Sequence, residues 1–277
     1  MPRHEEGFFP SQDNLRLFWE SDLPDAPKAH VGVVHGYFDH SGRYRGVIDA
    51  LVKEGFAVHA FDYRGHGQSG GRRGHVDRFD EYVDDLQLFW RRVQEASNGK
   101  RSFLLGHSHG GLISILFQER RPAGLSGLIL SSPYLRLPFK PPWAKVTAAK
   151  AIGRVVPWLP IKYELKPEDL TSDPELQRQV AKDHLYNHVL TPRWLTEVGA
   201  AQLKAMSLAQ AITVPSLLFW GTQDRVVDAA ASREFAQRLG SSDKRSREYE
   251  GMRHETMNEV GREQVWKDVA SWISAHL

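Results

Sequence analysis

The stretch Phe103-Leu104-Leu105-Gly106-His107-Ser108-His109-Gly110-Gly111 decides the fold of this protein. Three apolar residues, typical of a buried strand, run into a Gly-x-Ser-x-Gly turn, and a segment with helical periodicity follows at 111–118. The glycines allow a tight turn, so the hydroxyl of Ser108 would project beyond the sheet. The start of the following helix would bring partial positive charge to the same place. This context predicts a nucleophilic serine on a strand–turn–helix elbow.

Short apolar runs alternate with helix-period segments along most of the chain. The runs at 31–34, 56–61, 128–130 and 216–220 are brief and continuous, as in strands buried on both faces of a parallel sheet. Two further runs, 7–9 and 15–19, flank a polar turn and predict an antiparallel hairpin at the sheet edge. The predicted fold class is therefore α/β, with a doubly wound and mostly parallel sheet flanked by helices.

One long segment interrupts this alternation. Residues 133–210 contain no clear strand, but they hold many of the prolines, several helical fragments and a set of aromatic residues. A structureless loop of this length is uncommon in a compact domain, so the segment is predicted to be a helical cap inserted between two sheet strands. The predicted core then consists of residues 1–132 and 211–277.

A serine hydroxyl needs a base to take its proton and an acid to orient that base. In a fold with this elbow, the acid and then the base follow the serine along the chain. Asp224 stands just after the apolar run at 216–220, with Asp228 as the alternative acid, and His254 follows a glycine turn. The predicted catalytic trio is Ser108, Asp224 and His254. A glycine-rich turn with a capping serine is the alternative interpretation of the motif.

Negative charge that develops on a carbonyl oxygen is stabilised by two backbone N–H donors. One predicted donor is the N–H of His109, directly after the serine. The other is the N–H of Tyr37, in the loop that follows the run at 31–34. An ordinary strand-to-loop turn is the alternative for that loop. The side chains of His107 and His109 are expected to diverge from the serine hydroxyl.

The composition excludes several classes of protein and of site. The 277 residues include 36 Lys and Arg against 34 Asp and Glu, so the formal charge of +2 gives no reason to expect a nucleic-acid partner. Without cysteine, there is no disulfide, thiolate metal site or cysteine nucleophile. No run of about 18 apolar residues exists to span a membrane, and the first residues lack the apolar stretch of a secretory signal. We therefore expect a cytoplasmic protein.

Four blocks of sequence resemble those of a known family. They are HGYFDHSGRY at 35–44, DYRGHGQS at 62–69, GHSHGG at 106–111, and GTQD at 221–224 together with GMRHETMNE at 251–259. With these blocks the chain resembles the monoacylglycerol lipase and lysophospholipase group of α/β-hydrolases, also described as serine aminopeptidase-like. The likeness runs from about residue 6 to the C-terminus and is weakest in the predicted cap.

The resemblance implies the α/β-hydrolase fold and ester hydrolysis through a serine acyl-enzyme, with no metal and no cofactor. It also implies a lid over an acyl-binding pocket. Ser108 corresponds to the nucleophile, His254 to the base and Asp224 to its orienting acid, while Tyr37 and His109 correspond to the oxyanion donors. Two positions depart from the family pattern. His109 stands where methionine is frequent, and Tyr37 stands where animal lipases often have a small residue, so the tyrosine could narrow the acyl channel or contact the substrate.

The predicted substrate is a small-molecule lipid ester, first a monoacylglycerol or a lysophospholipid. A small-ester carboxylesterase or an aminopeptidase-like serine hydrolase on the same scaffold is the alternative. An aminopeptidase would need carboxylates in the cap to hold a free amine, and the candidates are Glu164, Glu168, Asp169 and Glu175.

Two hypotheses stay open for the first part of the cap. If residues 142–160 are helical, one side is apolar and the other basic, as in a helix that lies on a lipid surface. A helix packed against the core would have the same pattern. The apolar set is Val146, Ile152, Val155, Val156 and Leu159, and the basic residues are Lys150 and Arg154. The first hypothesis adds peripheral membrane contact to the expected location. The sequence leaves the oligomeric state open.

Overall fold

The computed structural model describes residues 2–140 and 142–277, without the side chains of 144–146 and 148–150. Its strands in chain order are β1 (Arg3–Pro10), β2 (Arg16–Leu23), β3 (His30–Val34), β4 (Ala57–Phe61), β5 (Ser102–His107), β6 (Leu125–Ser131), β7 (Ile161–Lys162), β8 (Val189–Leu190), β9 (Ser216–Gly221) and β10 (Lys244–Tyr249). Its helices are α1 (Arg45–Lys53), α2 (Asp80–Ser97), α3 (His109–Phe117), α4 (Trp143–Val155), α5 (Pro167–Leu170), α6 (Pro174–Lys182), α7 (Pro192–Leu208), α8 (Ala229–Arg238) and α9 (Arg262–Ser274).

Eight strands form one mostly parallel sheet in the order β1-β2-β4-β3-β5-β6-β9-β10. The strands from β4 to β10 in this order run parallel to one another, and β2 joins β4 in the antiparallel sense. The predicted edge hairpin is confirmed, because β1 pairs with β2 antiparallel over its whole length. The mostly parallel sheet predicted from the sequence is thus confirmed.

Helices cover both faces of this sheet. One apolar layer contains residues of α2, α3 and α8 together with α7, and the other contains residues of α1 and α9. The central strands β3, β4 and β5 are buried along their whole length, which explains why they are continuous apolar runs in the sequence. Because parallel strands end at the same edge, the loops after β3, β5 and β9 meet at one end of the molecule.

The segment predicted as the cap lies between β6 and β9 and contains the helices α4 to α7. The sequence showed no strand there, but β7 and β8 pair antiparallel over two residues each. Strands this short leave no periodicity to read in a sequence. Across residues 2–140 and 142–277, no helix is long and apolar enough to cross a membrane.

The apolar side chains at the end of α4 face outward. Val155 is 75% exposed and Ile152 is 42% exposed, and Leu159 beyond the helix is 43% exposed. Arg154 is exposed as well. The side chains of Val146 and Lys150, which belong to the predicted amphipathic pattern, lie outside the described residues. On another side of the same helix Gly153 is buried against Pro192 of α7, so α4 packs on α7 while Ile152 and Val155 face outward.

Candidate active site

Ser108 lies at the turn from β5 into α3, with φ 52° and ψ −116°. This conformation is rare for a residue with a side chain, and the turn persists because its neighbours leave no alternative. A Cβ on Gly110 would stand 2.2 Å from the carbonyl oxygen of Val34, and one on Gly106 would stand 2.6 Å from that of Gly110. Only glycine fits at either position, so the sequence enforces the elbow.

The structure brings the three predicted catalytic side chains into one hydrogen-bonded chain. Nε2 of His254 lies 2.9 Å from Oγ of Ser108, and Nδ1 of His254 lies 2.7 Å from Oδ2 of Asp224. All three come from loops at the carboxyl ends of β5, β9 and β10. The other oxygen of Asp224 accepts the backbone N–H groups of Val226 and Val227, which holds the carboxylate in place.

The carboxylate changes the proton affinity of the histidine. Burial by itself would lower the pKa of His254, but the negative charge and the hydrogen bond of Asp224 outweigh that effect and raise the pKa above its usual value. An imidazole that binds a proton more readily in this position can accept the proton of a serine hydroxyl. The pair thus has the electrostatics of a base and its orienting acid.

The two predicted oxyanion donors are the backbone N–H groups of His109 and Tyr37. His109 is the first residue of α3, where a helix leaves its N–H groups without intrahelical acceptors. Tyr37 follows β3 in the loop next to the elbow. Within the described part of the chain, neither N–H has an acceptor at hydrogen-bond distance.

The other acid and the two histidines that the sequence offered near the site have different partners. Asp228, the alternative acid, caps the start of α8 by accepting the N–H of Ala230 and pairs with Arg136 at 2.8 Å. The ring of His107 packs against that of His254, and its Nδ1 lies 3.1 Å from Oγ of Ser131. The side chain of His109 turns away from the serine toward Tyr63 and Trp194, as predicted, and it is fully buried.

A buried ion-pair network beside the trio was missed at the sequence level. Arg43 donates to both carboxylate oxygens of Glu255 at 2.9 and 2.8 Å and to Asp39 at 3.1 Å. Glu255 follows His254 directly, and Asp39 lies two residues after Tyr37. The network thus connects the loop of the base to the loop of an oxyanion donor. Its members were visible in the quoted blocks, but charged residues 212 positions apart give no signal that they pair.

One group of side chains among the described residues has the spacing of metal ligands. His4, Glu20 and Asp22 lie together on the outer strands β1 and β2. Arg45 already pairs with Asp22 at 2.8 Å, so a cation occupies part of this group. We assign no metal to it.

Comparison with known proteins agrees with the geometry. The family model described as serine aminopeptidase, S33, matches residues 25–261. A monoacylglycerol lipase of Mycolicibacterium smegmatis is 32% identical over 98% of both chains. A phospholipase of Bacillus subtilis is 31% identical over 91% of this chain and 98% of its own.

A solved structure is similar over the same span. The crystal structure of the Paleococcus ferrophilus monoacylglycerol lipase superimposes with a TM-score of 0.83, at 30% identity, covering 99% of this chain and 100% of the other. Family model, sequence relatives and structure together show that this chain belongs to the monoacylglycerol lipase and phospholipase group of α/β-hydrolases, the serine aminopeptidase S33 family, and that it is a hydrolase of the lipase and esterase type.

Proposed function

We propose that this protein hydrolyses carboxylic esters of lipids, with Ser108 as the nucleophile, His254 as the base and Asp224 as the orienting acid. The observation that supports this most directly is the hydrogen-bonded chain from Ser108 through His254 to Asp224. The N–H groups of Tyr37 and His109 support it further, because they belong to the loop after β3 and to the elbow itself and have no acceptor among the described residues.

The proposed reaction has two halves. Ser108 attacks the ester carbonyl while His254 takes the hydroxyl proton, and the oxygen that becomes negative is held by the N–H groups of Tyr37 and His109. The imidazolium, stabilised by Asp224, gives its proton to the departing alcohol and leaves an acyl-enzyme. Water then attacks the acyl carbon, with His254 again as base, and the acid leaves from Ser108.

For the substrate we propose a monoacylglycerol or a lysophospholipid. The two near-full-length relatives support this choice, since one is named a monoacylglycerol lipase and the other a phospholipase. The aminopeptidase alternative has less support. Glu164 and Glu175 are exposed and paired with Lys162 and Arg178, so they are poor candidates for a buried site that binds an amine.

The test is a hydrolysis series with a matched inactive variant. Rates would be measured on p-nitrophenyl esters from acetyl to palmitoyl, on 1-monooleoylglycerol and on a lysophosphatidylcholine. We expect an optimum at medium or long acyl chains, and a loss of about 10⁴-fold to 10⁶-fold in kcat in Ser108→Ala. Labelling of the wild-type protein with a fluorophosphonate, absent in the variant, would identify the nucleophile independently of the substrate.

Other outcomes would change the proposal in defined ways. Activity confined to acetyl and butyryl esters would replace the lipid substrate by a small ester. Equal activity of wild type and Ser108→Ala would reject Ser108 as the nucleophile. Hydrolysis of aminoacyl p-nitroanilides in preference to all esters would favour the aminopeptidase.

We further propose that the cap contacts anionic lipid surfaces peripherally. Its exposed apolar side chains are large, with Trp143 81%, Val155 75% and Phe139 60% exposed. From 139 to 163 the sequence has five basic residues and no acidic residue. An apolar surface inside a basic field is typical of segments that bind the interface of anionic bilayers.

The membrane proposal can be tested with two matched variants. Val155→Glu places a charge in the cap surface, and Leu203→Glu places one at a position of similar exposure, 77%, on α7. We expect sedimentation of the wild type and of Leu203→Glu with vesicles that contain phosphatidylglycerol, and reduced sedimentation of Val155→Glu. Equal sedimentation of both variants would contradict the proposed surface.

A further inference from the structure

A chain of hydrogen bonds leads from α7 to the loop that holds one of the proposed oxyanion donors. The indole N–H of Trp194 donates to Nε2 of His109 at 3.4 Å. Nδ1 of His109 lies 3.2 Å from the hydroxyl oxygen of Tyr63, and the Tyr63 hydroxyl donates to the carbonyl oxygen of Gly36 at 2.7 Å. The side chains of Trp194, His109 and Tyr63 are all buried.

Only one arrangement of protons satisfies every link of this chain. An indole N–H can only donate, so Nε2 of His109 must be the nitrogen without a proton. The proton on Nδ1 is then donated to Tyr63, whose own proton goes to Gly36. Burial lowers the pKa of His109 well below its usual range, which keeps the ring in this neutral form.

The final acceptor belongs to the peptide group of an oxyanion donor. The carbonyl of Gly36 and the N–H of Tyr37 are the two ends of one trans peptide, so they point in opposite directions. A fixed carbonyl therefore fixes the N–H. Nδ1 of His35 also lies 2.7 Å from the same carbonyl oxygen. Because Gly36 has no Cβ to restrict its backbone, rotation of this peptide must be prevented by such contacts.

We propose that Trp194, His109 and Tyr63 form a relay that holds the Gly36–Tyr37 peptide with its N–H directed at the oxyanion. The inference rests on the proposed function, since it assigns positioning residues to that oxyanion site. His109 then has two parts in the site, because its backbone N–H is one donor and its side chain orients the other. Hydrogen bonds in a buried chain polarise one another, which strengthens the last link.

Tyr63→Phe tests the last link, since it keeps the ring, which stacks on His35 at 4.1 Å, and removes the hydroxyl. We expect kcat to fall about 10-fold to 100-fold, because a displaced donor costs a large part of what a missing donor costs. KM should stay within about twofold, and the loss should be equal for acetyl and octanoyl esters. Affinity for a trifluoromethyl ketone, whose adduct bears an oxyanion, should fall by the same factor as kcat/KM.

Trp194→Phe tests the first link. It removes the indole donor but retains an aromatic ring to stack on Tyr37, whose ring lies 3.9 Å away. We expect a smaller loss in kcat than in Tyr63→Phe. In the double variant the loss should equal that of Tyr63→Phe alone, because both substitutions act through one carbonyl.

The same aromatic cluster offers a matched control. Tyr82 packs against Tyr63 and His109 at 5.1 Å each, and its buried hydroxyl has no hydrogen-bond partner among the described residues. Tyr82→Phe should therefore leave kcat and ketone affinity unchanged. A loss in Tyr82→Phe as large as in Tyr63→Phe would overturn the relay and indicate a general packing effect.

Further outcomes of the same measurements distinguish the relay from a pocket wall and from failure of the proposed function. Additive losses in the double variant, or losses limited to long acyl chains, would overturn the relay and make these residues walls of the acyl pocket. If the wild type is labelled at Ser108 and hydrolyses esters while Tyr63→Phe matches it, only the relay is wrong. If the wild type neither labels nor hydrolyses esters, the proposed function and the relay both fail.

Discussion

Six buried histidines should make the stability of this fold fall steeply in weak acid. Burial penalises the charged ring and lowers the pKa of each, to about 3 for His59 and His107 and to about 4 for His30. The others, with pKa values well below the usual range, are His35, His66 and His109. All six therefore stay neutral in the folded protein at a pH where they would be charged in water.

The unfolded chain behaves differently, since a solvated histidine takes up its proton near pH 6.5. Below that pH the unfolded state binds more protons, so the free energy of unfolding decreases as the pH falls. Between pH 7.5 and 5.5 each histidine removes between about 1 and 2 kcal/mol, or about 8 kcal/mol for six. Asp85 and His254 act in the opposite sense, because burial raises the pKa of Asp85 to about 6 and Asp224 raises that of His254, and Asp85 returns about 1 kcal/mol. The net loss of about 6 to 7 kcal/mol is comparable with the whole stability of many domains.

The measurement is urea unfolding, followed by tryptophan fluorescence, at half-unit steps from pH 8.0 to 5.5. We expect a slope near pH 5.5 of about 6 kcal/mol per pH unit, which corresponds to between about four and five protons taken up on unfolding. His59→Gln should reduce this uptake by about one proton, whereas His184→Gln, at an exposed position, should leave it unchanged. A free energy of unfolding that stays constant from pH 7.5 to 5.5 would refute the reasoning.

Three further predictions follow from single sites. Because the pKa of His254 is raised, kcat/KM for a soluble ester should fall as the pH is lowered, with a midpoint above pH 6.5. A midpoint well below pH 6 would contradict the electrostatics described for Ser108, His254 and Asp224. Gly110→Ala should abolish activity or folding, because the added Cβ would lie 2.2 Å from a backbone oxygen. Gly199→Ala, in the middle of α7 with nothing within 4 Å of the added Cβ, should raise the free energy of unfolding by about 0.5–1 kcal/mol. Equal melting temperatures and activities of the two variants would contradict both expectations. Arg64→Ala should cost about 3–5 kcal/mol in urea unfolding, because buried Asp85 loses the guanidinium that bonds it at 2.7 Å, and a cost below about 1 kcal/mol would show that water replaces the cation.

The amino-acid sequence by itself determined the class of fold and the order of its key residues. Buried parallel strands must be continuous apolar runs, and the elbow admits only glycine at Gly106 and Gly110 on either side of Ser108, so both features can be recognised from the local sequence. Asp224 and His254 were predicted in the same way, since each follows a strand in the order that this fold requires, and the structure joins them with Ser108 in one chain of hydrogen bonds. The edge hairpin could be predicted from two apolar runs and a polar turn, whereas its residue register came from the structure.

Tertiary structure alone decided which distant side chains act on one another. Tyr63, His109 and Trp194 are separated by up to 131 positions, 63 to 194, and no periodicity relates an indole donor to an imidazole nitrogen so far along the chain. The ion pair of Arg43 with Glu255 was hidden for the same reason. The sequence likewise left open whether Val155 and Ile152 face the protein or the solvent. An amphipathic pattern distinguishes two faces of a helix, but it does not show which neighbour each face contacts. Local patterns set the elements and the turn, whereas partners, burial and the direction of each hydrogen bond exist only once the chain has brought remote segments together.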